Sequence, residues 1–258
     1  MTGQTLSAIL SGGLVGFTLG LVGGGGSILA TPLLLYVVGI AQPHVAIGTG
    51  ALAVSANAFA NLTSHALKGH VWWRCAVVFA IVGAIGAFAG SSLGKAVDAT
   101  HLLIFFGLLM VAVGALMLRP KPVATNRPKP VDAKMCLLTG TVATVAGAAS
   151  GFFGIGGGFL IVPALIFATG MPMINAIGSS LLAVGIFGLA TALNYAWSGL
   201  IDWGVAVDFI GGGVLGGIVG MLAATRLSKY KTALTRVFAG LIFAVAFYIL
   251  YRSVGDWH

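Results

Sequence analysis

The chain contains 258 residues, of which 59% are hydrophobic and 7% are charged, and its mean hydropathy is +1.07. A soluble domain usually carries about a quarter charged residues, so 13 Lys and Arg with five acidic residues cannot cover a soluble surface of this size. The composition therefore predicts an all-α polytopic membrane protein, whose apolar spans satisfy their own backbone hydrogen bonds. The shortage of carboxylates also argues against an enzyme.

The net charge of +8 does not indicate a nucleic-acid partner, because the basic residues lie in short gaps between apolar runs. That distribution is typical of cytoplasmic loops, and the expected surroundings are a lipid bilayer. Cys75 and Cys136 are too far apart for a CxxC motif and too few for a disulfide framework, so we interpret them as packing residues. The sequence predicts no metal site and no cofactor.

Ten apolar segments follow one another along the chain. The first five are predicted at 5–22, 26–39, 44–67, 73–94 and 100–118, and the second five at 135–153, 158–170, 174–198, 203–225 and 235–252. The second segment of each group has only about 14 residues, or about 21 Å of helix, which is less than the roughly 30 Å hydrocarbon core. Each group is thus predicted to contain a helical hairpin with a glycine tip, followed by three transmembrane helices. About eight to ten membrane segments result.

The two groups are copies of one unit. Val22–Pro32 matches Phe153–Pro163 at an offset of 131, and Ala46–Thr49 matches Ala176–Ser179 at an offset of 130. The offset of 130 also relates Gly69, Trp73, Gly83, Gly86 and Gly90 to Gly199, Trp203, Gly213, Gly216 and Gly220. We therefore divide the chain into a first repeat (1–118), a Pro- and Lys-rich linker (119–134) and a second repeat (135–258).

Loop charge predicts that the repeats have opposite orientations in the membrane. The loop after the third segment is basic in the first repeat, with Lys68 and Arg74, but carries only Asp202 in the second. In the next loop this bias is reversed: Lys95 is balanced by Asp98 in the first repeat, and the second carries four basic residues. Basic loops remain cytoplasmic, so these are inverted repeats with a cytoplasmic linker and both termini outside. The prediction holds whether the hairpins are re-entrant or fully spanning, which the sequence leaves open.

The two glycine tips are the predicted binding site. Glycine runs let backbone N–H groups converge, and the positive ends of the following helices point at the tips, which favours a small anion. Polar residues of the third segments add hydrogen-bond donors. The predicted substrate-binding residues are Gly24, Gly25, Gly26, Ser27, Thr49, Asn57, Asn61, Gly156, Gly157, Gly158, Ser179, Ser180 and Asn194.

Ionisable side chains inside a membrane are functional candidates. His65, near the end of the third segment, is a candidate for coupling transport to protons, although an interfacial position beside Lys68 explains it equally well.

These motifs identify a resemblance to the TauE/SafE family of sulfite and organosulfonate exporters. The resemblance rests on the repeated glycine-rich signature before a proline, at Gly154–Pro163 and, more loosely, at Gly23–Pro32, and on the Gly199–Trp203 pattern with its counterpart at Gly69–Trp73. It implies a multi-pass protein of the bacterial inner membrane that moves a small sulfur-containing anion, in the outward direction, by alternating access around the tips.

Three other interpretations remain. An anion channel needs the same donors but no alternating gate. A thiol- or sulfur-handling membrane protein would depend on Cys75 and Cys136, which do not form a paired site in the sequence. An intramembrane enzyme ranks last, since the sequence offers no acid–base pair. The exact substrate, the coupling ion and the existence of a homo-oligomer are not determined by the sequence.

Overall fold

The computed structural model describes residues 2–22, 24–118, 133–154, 156, 158–226, 240 and 242–251. Most of the predicted linker (119–132), Gly157, the start of the last predicted segment and both extreme termini lie outside the described residues. The described part is almost entirely helical and contains no strand, which confirms the all-α prediction.

The helices agree closely with the predicted segments. They are α1 (Thr2–Val22), a 3₁₀ helix (Gly24–Leu29), α2 (Ala30–Tyr36), α3 (Pro43–Leu67), α4 (Trp73–Ala96), α5 (Ala99–Leu118), α6 (Ala133–Phe153), α7 (Gly158–Thr169), α8 (Met173–Trp197), α9 (Trp203–Arg226) and α10 (Ile242–Tyr251). Gly69 and Gly199 have φ of +71° and +68°, and these left-handed residues end the equivalent helices α3 and α8. The main difference lies in the first hairpin, whose second arm begins as a 3₁₀ helix.

Among the described residues, five helices are long and apolar enough to cross a membrane: Gly3–Leu21, Pro43–Leu67, Trp73–Ala96, Ile174–Trp197 and Trp203–Ala223. Large apolar side chains cover the outer faces of α4 and α9, for example Ile85 at 71% and Val207 at 67% exposure. In contrast, α3 and α8 are the most enclosed of the five. A pair of central helices surrounded by apolar, outward-facing ones is the arrangement expected of a multi-pass membrane protein.

Helix α1 of the first repeat packs against α9 of the second, with backbone touching backbone. A Cβ atom added at Gly12 would overlap the carbonyl oxygen of Phe209, and one added at Gly16 would overlap that of Gly213. One at Gly20 would meet the carbonyl oxygen of Gly217. Both numbers rise together along the interface, so α1 and α9 run parallel. Small residues at every fourth position permit this close approach in a membrane, where no hydrophobic effect drives helices together.

Helix α6 of the second repeat packs against α4 of the first in the same way. A Cβ at Gly147 would overlap the carbonyl oxygen of Gly83, and one at Gly151 would overlap that of Ala87. These contacts match those of Gly16 and Gly20 at the offsets of the internal repeat. Each repeat therefore gives its first helix to the other repeat, and the two interfaces are equivalent.

The equivalent helices α3 and α8 pack against each other at the centre and run antiparallel. Gly48 contacts Tyr195, whereas Ser55, farther along α3, donates a hydrogen bond of 2.7 Å to the carbonyl oxygen of Gly185, earlier in α8. Ser55 and Gly185 are themselves related by the offset of 130. A pair of equivalent antiparallel helices requires an approximate twofold axis perpendicular to them.

The contact between α4 and α6 is tested by a matched pair of glycines on α6. Gly147 has no room for a methyl group, whereas a Cβ at Gly140 would meet nothing within 4 Å. We expect Gly147→Ala to destabilise the protein by about 1–3 kcal/mol through overpacking. Gly140→Ala should leave stability unchanged or raise it slightly, because alanine is the better helix former. Thermal midpoints of the purified proteins in detergent measure both effects, and equal midpoints for the two variants would contradict the observed α4–α6 packing.

Candidate functional site

The tip of the second hairpin lies at the centre of the molecule. Helix α6 ends at Phe153, and the chain turns through Gly154 and Gly156, both with φ of +64°, a conformation that favours glycine. A Cβ at Gly156 would lie 3.0 Å from Val54 Cγ1 and 3.2 Å from Val184 Cγ1. These valines are equivalent by the repeat, and each is the twelfth residue of a helix of 25 residues. The tip thus sits halfway along both central helices.

The tip of the first hairpin contacts the second hairpin. Its 3₁₀ helix packs against α1, α7 and α8. Gly26 has no room for a side chain because Thr18 and Leu19 of α1 lie against it, and Ser27 is fully buried. Gly24 and Gly25 belong to the same 3₁₀ helix, and Gly158 begins α7. The predicted meeting of two glycine segments inside the protein is therefore present, but their backbones differ, since one is a 3₁₀ helix and the other a turn.

Asn57 is a fully buried side chain whose amide has no partner. It lies on α3 against Gly213 of α9, where a larger residue would collide with its amide. Neither Nδ2 nor Oδ1 makes a hydrogen bond. A buried polar group without a partner costs about 1–3 kcal/mol, so a functional reason for retaining it is expected. Asn61, one turn later, donates 2.9 Å to the carbonyl oxygen of Asn57 and packs against Gly217.

The corresponding place in the other half of the molecule is apolar. Phe187 is the counterpart of Asn57 and lies against Gly83, the counterpart of Gly213. Its ring stacks on Phe79 with 6.1 Å between the ring centroids. The helix frame is therefore nearly symmetric around the tips, while the side chains at equivalent places are polar on one side and apolar on the other.

Two predicted hydroxyls have structural partners instead. Thr49 Oγ1 accepts a hydrogen bond of 3.0 Å from the backbone N–H of Asp202, and Ser179 Oγ accepts one of 3.0 Å from the N–H of Trp72. These bonds are equivalent by the repeat and attach each central helix to the loop of the opposite repeat. Ser180 donates 2.8 Å to Ile177 O in its own helix. Thr49 and Ser179 thus connect the two repeats in this structure, whereas Ser180 bonds within α8.

Asn194 lies away from the tips, near the end of α8. Both the oxygen and the nitrogen of its side-chain amide bond to residues of α4. Its Nδ2 donates to Ser91 Oγ at 2.6 Å and to Ser92 Oγ at 2.9 Å, and its Oδ1 accepts from Lys95 Nζ at 2.8 Å. The structure therefore does not bring Asn194 together with Asn57. Sequence reasoning treated Lys95 as a loop charge balanced by Asp98, and its contact with a residue 99 positions later left no local signal.

His65 is buried in the last turn of α3, at the opposite end from Asn194. Its ring centroid lies 5.8 Å from that of His70, and Nδ1 of each ring has no hydrogen-bond partner. The pair lies near the end of the central helices and not at the tips. The described residues contain no group of three or more His, Cys, Asp or Glu able to hold a metal ion.

Other buried polar groups also lack partners, and two of them, Ser150 and Thr31, were not predicted as site residues from the sequence. Ser150 precedes Gly151 in α6 and Thr191 lies in α8; like Thr31 in α2, each has a hydroxyl without a hydrogen bond. An offset comparison could have drawn attention to Ser150 and Thr31, because their counterparts in the other repeat are the apolar Leu19 and Val162. Polar residues that break an apolar repeat are candidates for function.

Five apolar spans around two enclosed glycine tips define a multi-pass membrane transporter. The chain belongs to the family described as Sulfite exporter TauE/SafE, whose model matches residues 8–249. A "Probable membrane transporter protein" of Xylella fastidiosa (strain 9a5c) is 63% identical over 255 residues, 98% of both chains.

More distant relatives carry the same description. "Probable membrane transporter protein YunE" of Bacillus subtilis (strain 168) is 26% identical over 242 residues, covering 85% of this chain and 88% of that protein. "Probable membrane transporter protein MJ0441" of Methanocaldococcus jannaschii is 26% identical over 191 residues, 70% of each chain. No solved structure matches the chain.

The two buried asparagines give opposite predictions for stability. Leucine has nearly the shape of asparagine, so Asn57→Leu removes an unpartnered amide and should raise the free energy of unfolding by about 1 kcal/mol. Asn194→Leu removes hydrogen bonds to Lys95, Ser91 and Ser92 and should lower it by about 2 kcal/mol or more. Thermal midpoints without added anion measure both changes. A fall on Asn57→Leu as large as that on Asn194→Leu would show that the Asn57 amide is satisfied.

Proposed function

We propose that this protein is a secondary transporter that exports small sulfur-containing anions, such as sulfite or organosulfonates, by alternating access. The observation that carries the proposal is the meeting of two glycine segments halfway along two enclosed, antiparallel helices. Substrate sites of inverted-repeat transporters lie at this depth, between the repeats. The sulfur-containing substrate comes from the family description, which names sulfite.

The orientation is part of this proposal. Equivalent helices that run antiparallel support repeats inverted in the membrane, with the α3–α4 loop, which carries Lys68 and Arg74, on the cytoplasmic side. The linker would then be cytoplasmic, both termini would be outside, and the membrane would be the bacterial inner membrane.

The proposed anion site is neutral. Backbone N–H groups at Gly156, Gly158 and Gly24–Ser27 would supply donors, and the positive end of α7 points at the tip. Asn57 adds an amide donor, and the hydroxyls of Thr31, Ser150 and Thr191 also have no hydrogen-bond partner. We propose Asn57 as the side chain that distinguishes an oxyanion from a halide, because an amide donor rewards a directed oxygen acceptor.

Transport by the purified protein in liposomes tests the proposal. External [³⁵S]sulfite, kept reduced under argon, should enter with saturating kinetics, and unlabelled internal sulfite should drive transient accumulation of label. A channel cannot produce such counterflow. Asn57→Leu should reduce the saturable flux at least about tenfold, the effect of losing roughly 1.4 kcal/mol of binding. The matched control is Thr63→Ala, since Thr63 is exposed on the same helix and bonds only to Ala60 O.

The possible outcomes test the substrate, the transport mechanism and the position of the binding site separately. Saturable flux of carboxylates with none of any sulfur anion would remove the substrate assignment. Flux that stays linear with concentration and shows no counterflow would favour the channel. Full activity in Asn57→Leu would leave a transporter whose site is elsewhere.

A cysteine-free variant tests the thiol-handling alternative. Cys75 lies half-buried in the first turn of α4, and Cys136 lies in α6. If the anion is bound by hydrogen bonds alone, the double substitution Cys75→Ser with Cys136→Ser should keep sulfite flux within about twofold of the parent, because no thiol then takes part in binding. Loss of flux with a normal thermal midpoint would instead indicate sulfur chemistry at a thiol.

A further inference from the structure

Lys95 is a half-buried cation whose hydrogen bonds, within the described residues, go to uncharged oxygen atoms. It lies in the last turn of α4, and its Nζ donates to Asn194 Oδ1 at 2.8 Å, Asn194 O at 3.0 Å and Ser198 Oγ at 2.8 Å. Asp98 is exposed and lies 3.9 Å from His101 instead. Within the described part of the chain, no carboxylate forms an ion pair with Lys95, so none of these residues neutralises its positive charge.

A buried tyrosine ring lies near this cation. Lys95 Nζ is 5.8 Å from the centroid of the Tyr195 ring. Tyr195 is fully buried, and its hydroxyl has no hydrogen-bond partner. His44 of α3 packs against the same ring, with 6.4 Å between centroids, and its Nδ1 is also buried without a partner. The ammonium therefore lies near the ring of a tyrosine whose hydroxyl donor is unused, where α3, α4 and α8 meet.

This cluster is separate from the tips and belongs to one end of the molecule. Tyr195 lies 11 residues beyond Val184 along α8, or about 16 Å at 1.5 Å per residue. The repeat counterparts of Lys95 and Asn194 are Thr225 and Ser64, so the opposite end of the molecule has no equivalent. The cluster combines Lys95 of the first repeat with Tyr195 and Ser198 of the second, and the duplicated frame does not require it.

We propose that Lys95, Tyr195 and Ser198 form a second anion-binding site at this end of the protein, one that takes a small oxyanion such as a sulfonate. The oxyanion replaces the oxygens of Asn194 as acceptors for Lys95 and receives a hydrogen bond from the Tyr195 hydroxyl. A partly desolvated ammonium attracts an anion more strongly than an exposed lysine does, because the surrounding dielectric is lower. On the predicted topology this end faces the outside of the membrane.

Binding also changes how α4 is held. Without the anion, Lys95 connects the end of α4 to the end of α8 through Asn194 and Ser198. When an oxyanion accepts hydrogen bonds from Lys95, the bonds from Lys95 to Asn194 are released. Asn194 keeps its bonds to Ser91 and Ser92. The site thus links occupancy at this end to the contact between α4 and α8. Its existence does not rest on the transport proposal, since binding is measured without flux.

The test uses a cysteine at Ser198 in the cysteine-free full chain. The rates of modification by the anionic reagent 2-sulfonatoethyl methanethiosulfonate and by its cationic trimethylammonium analogue are compared. Local attraction should raise the anionic-to-cationic rate ratio, and Lys95→Gln should lower it about tenfold or more. Lys68→Gln removes the same charge from the opposite end, about 36 Å away by helix rise and far beyond the Debye length, and should leave the ratio unchanged.

Protection by a ligand completes the experiment. Methanesulfonate, added against gluconate at constant ionic strength, should slow the anionic reagent in the parent and not in Lys95→Gln. Equal ratios in the parent, Lys95→Gln and Lys68→Gln, with no protection, would overturn the proposal. Equal protection by chloride would overturn the oxyanion assignment.

A second measurement covers the case in which Ser198→Cys disturbs the site. In an Asn57→Leu background, which disables the proposed central site, methanesulfonate should still raise the thermal midpoint. Adding Lys95→Gln should abolish that rise, and Lys95→Arg should restore part of it. A rise that persists in Lys95→Gln would place the binding elsewhere.

Discussion

The contacts of glycine with backbone carbonyl groups between α1 and α9, and between α4 and α6, determine where every other helix can lie. Lipid is as apolar as a leucine side chain, so membrane helices gain stability from close van der Waals contact and weak Cα–H···O bonds. Both interfaces join helices of different repeats. The glycine-rich face of α1 or α6 is covered by a helix of the other repeat. The two repeats must therefore fold together as one frame.

This exchanged frame encloses α3 and α8 and sets the depth of the tips. Once α1 and α6 are fixed against α9 and α4, the short arms that follow pack along the central helices, α2 against α3 and α7 against α8. Gly156 then reaches two equivalent valines, Val54 and Val184. The irregular backbone of the tips is tolerated at this depth because protein surrounds it. The depth of the tips is therefore a consequence of the helix packing.

Sequence alone predicted the elements well because apolar runs, glycines and prolines mark their ends. α3 was predicted at 44–67 and spans Pro43–Leu67, and α7 was predicted at 158–170 and spans Gly158–Thr169. The repeat offset also predicted which residues are equivalent. It did not predict which repeat supplies the neighbour of α1, since a glycine stripe fits any similar stripe. The contacts of Asn194 with Lys95 and Ser91 depend on that pairing, so no local pattern pointed to them.

The symmetric frame and the asymmetric side chains have different consequences. An inverted-repeat transporter reaches its second state when the two repeats exchange conformations, and identical repeats would give two states of equal free energy. Here Asn57 packs against Gly213, whereas its counterpart Phe187 packs against Gly83. Lys95 bonds to Asn194 near the end of α8. Under the proposed alternating access, these side chains would have different partners in the two states. The asymmetry would then bias the equilibrium between the states.

For the proposed anion exporter, a neutral centre with a cation at one end would suit the release of the anion. Helices α3 and α8 contain no Asp, Glu, Lys or Arg, so donors and backbone dipoles alone would offset the charge of a central anion. A buried lysine there would bind an anion too tightly to let it leave, since conduction needs sites that are favourable but weak. An ammonium near the end, such as Lys95, can still attract an anion without holding it at the centre. With the inside negative, the membrane potential would complete the exit.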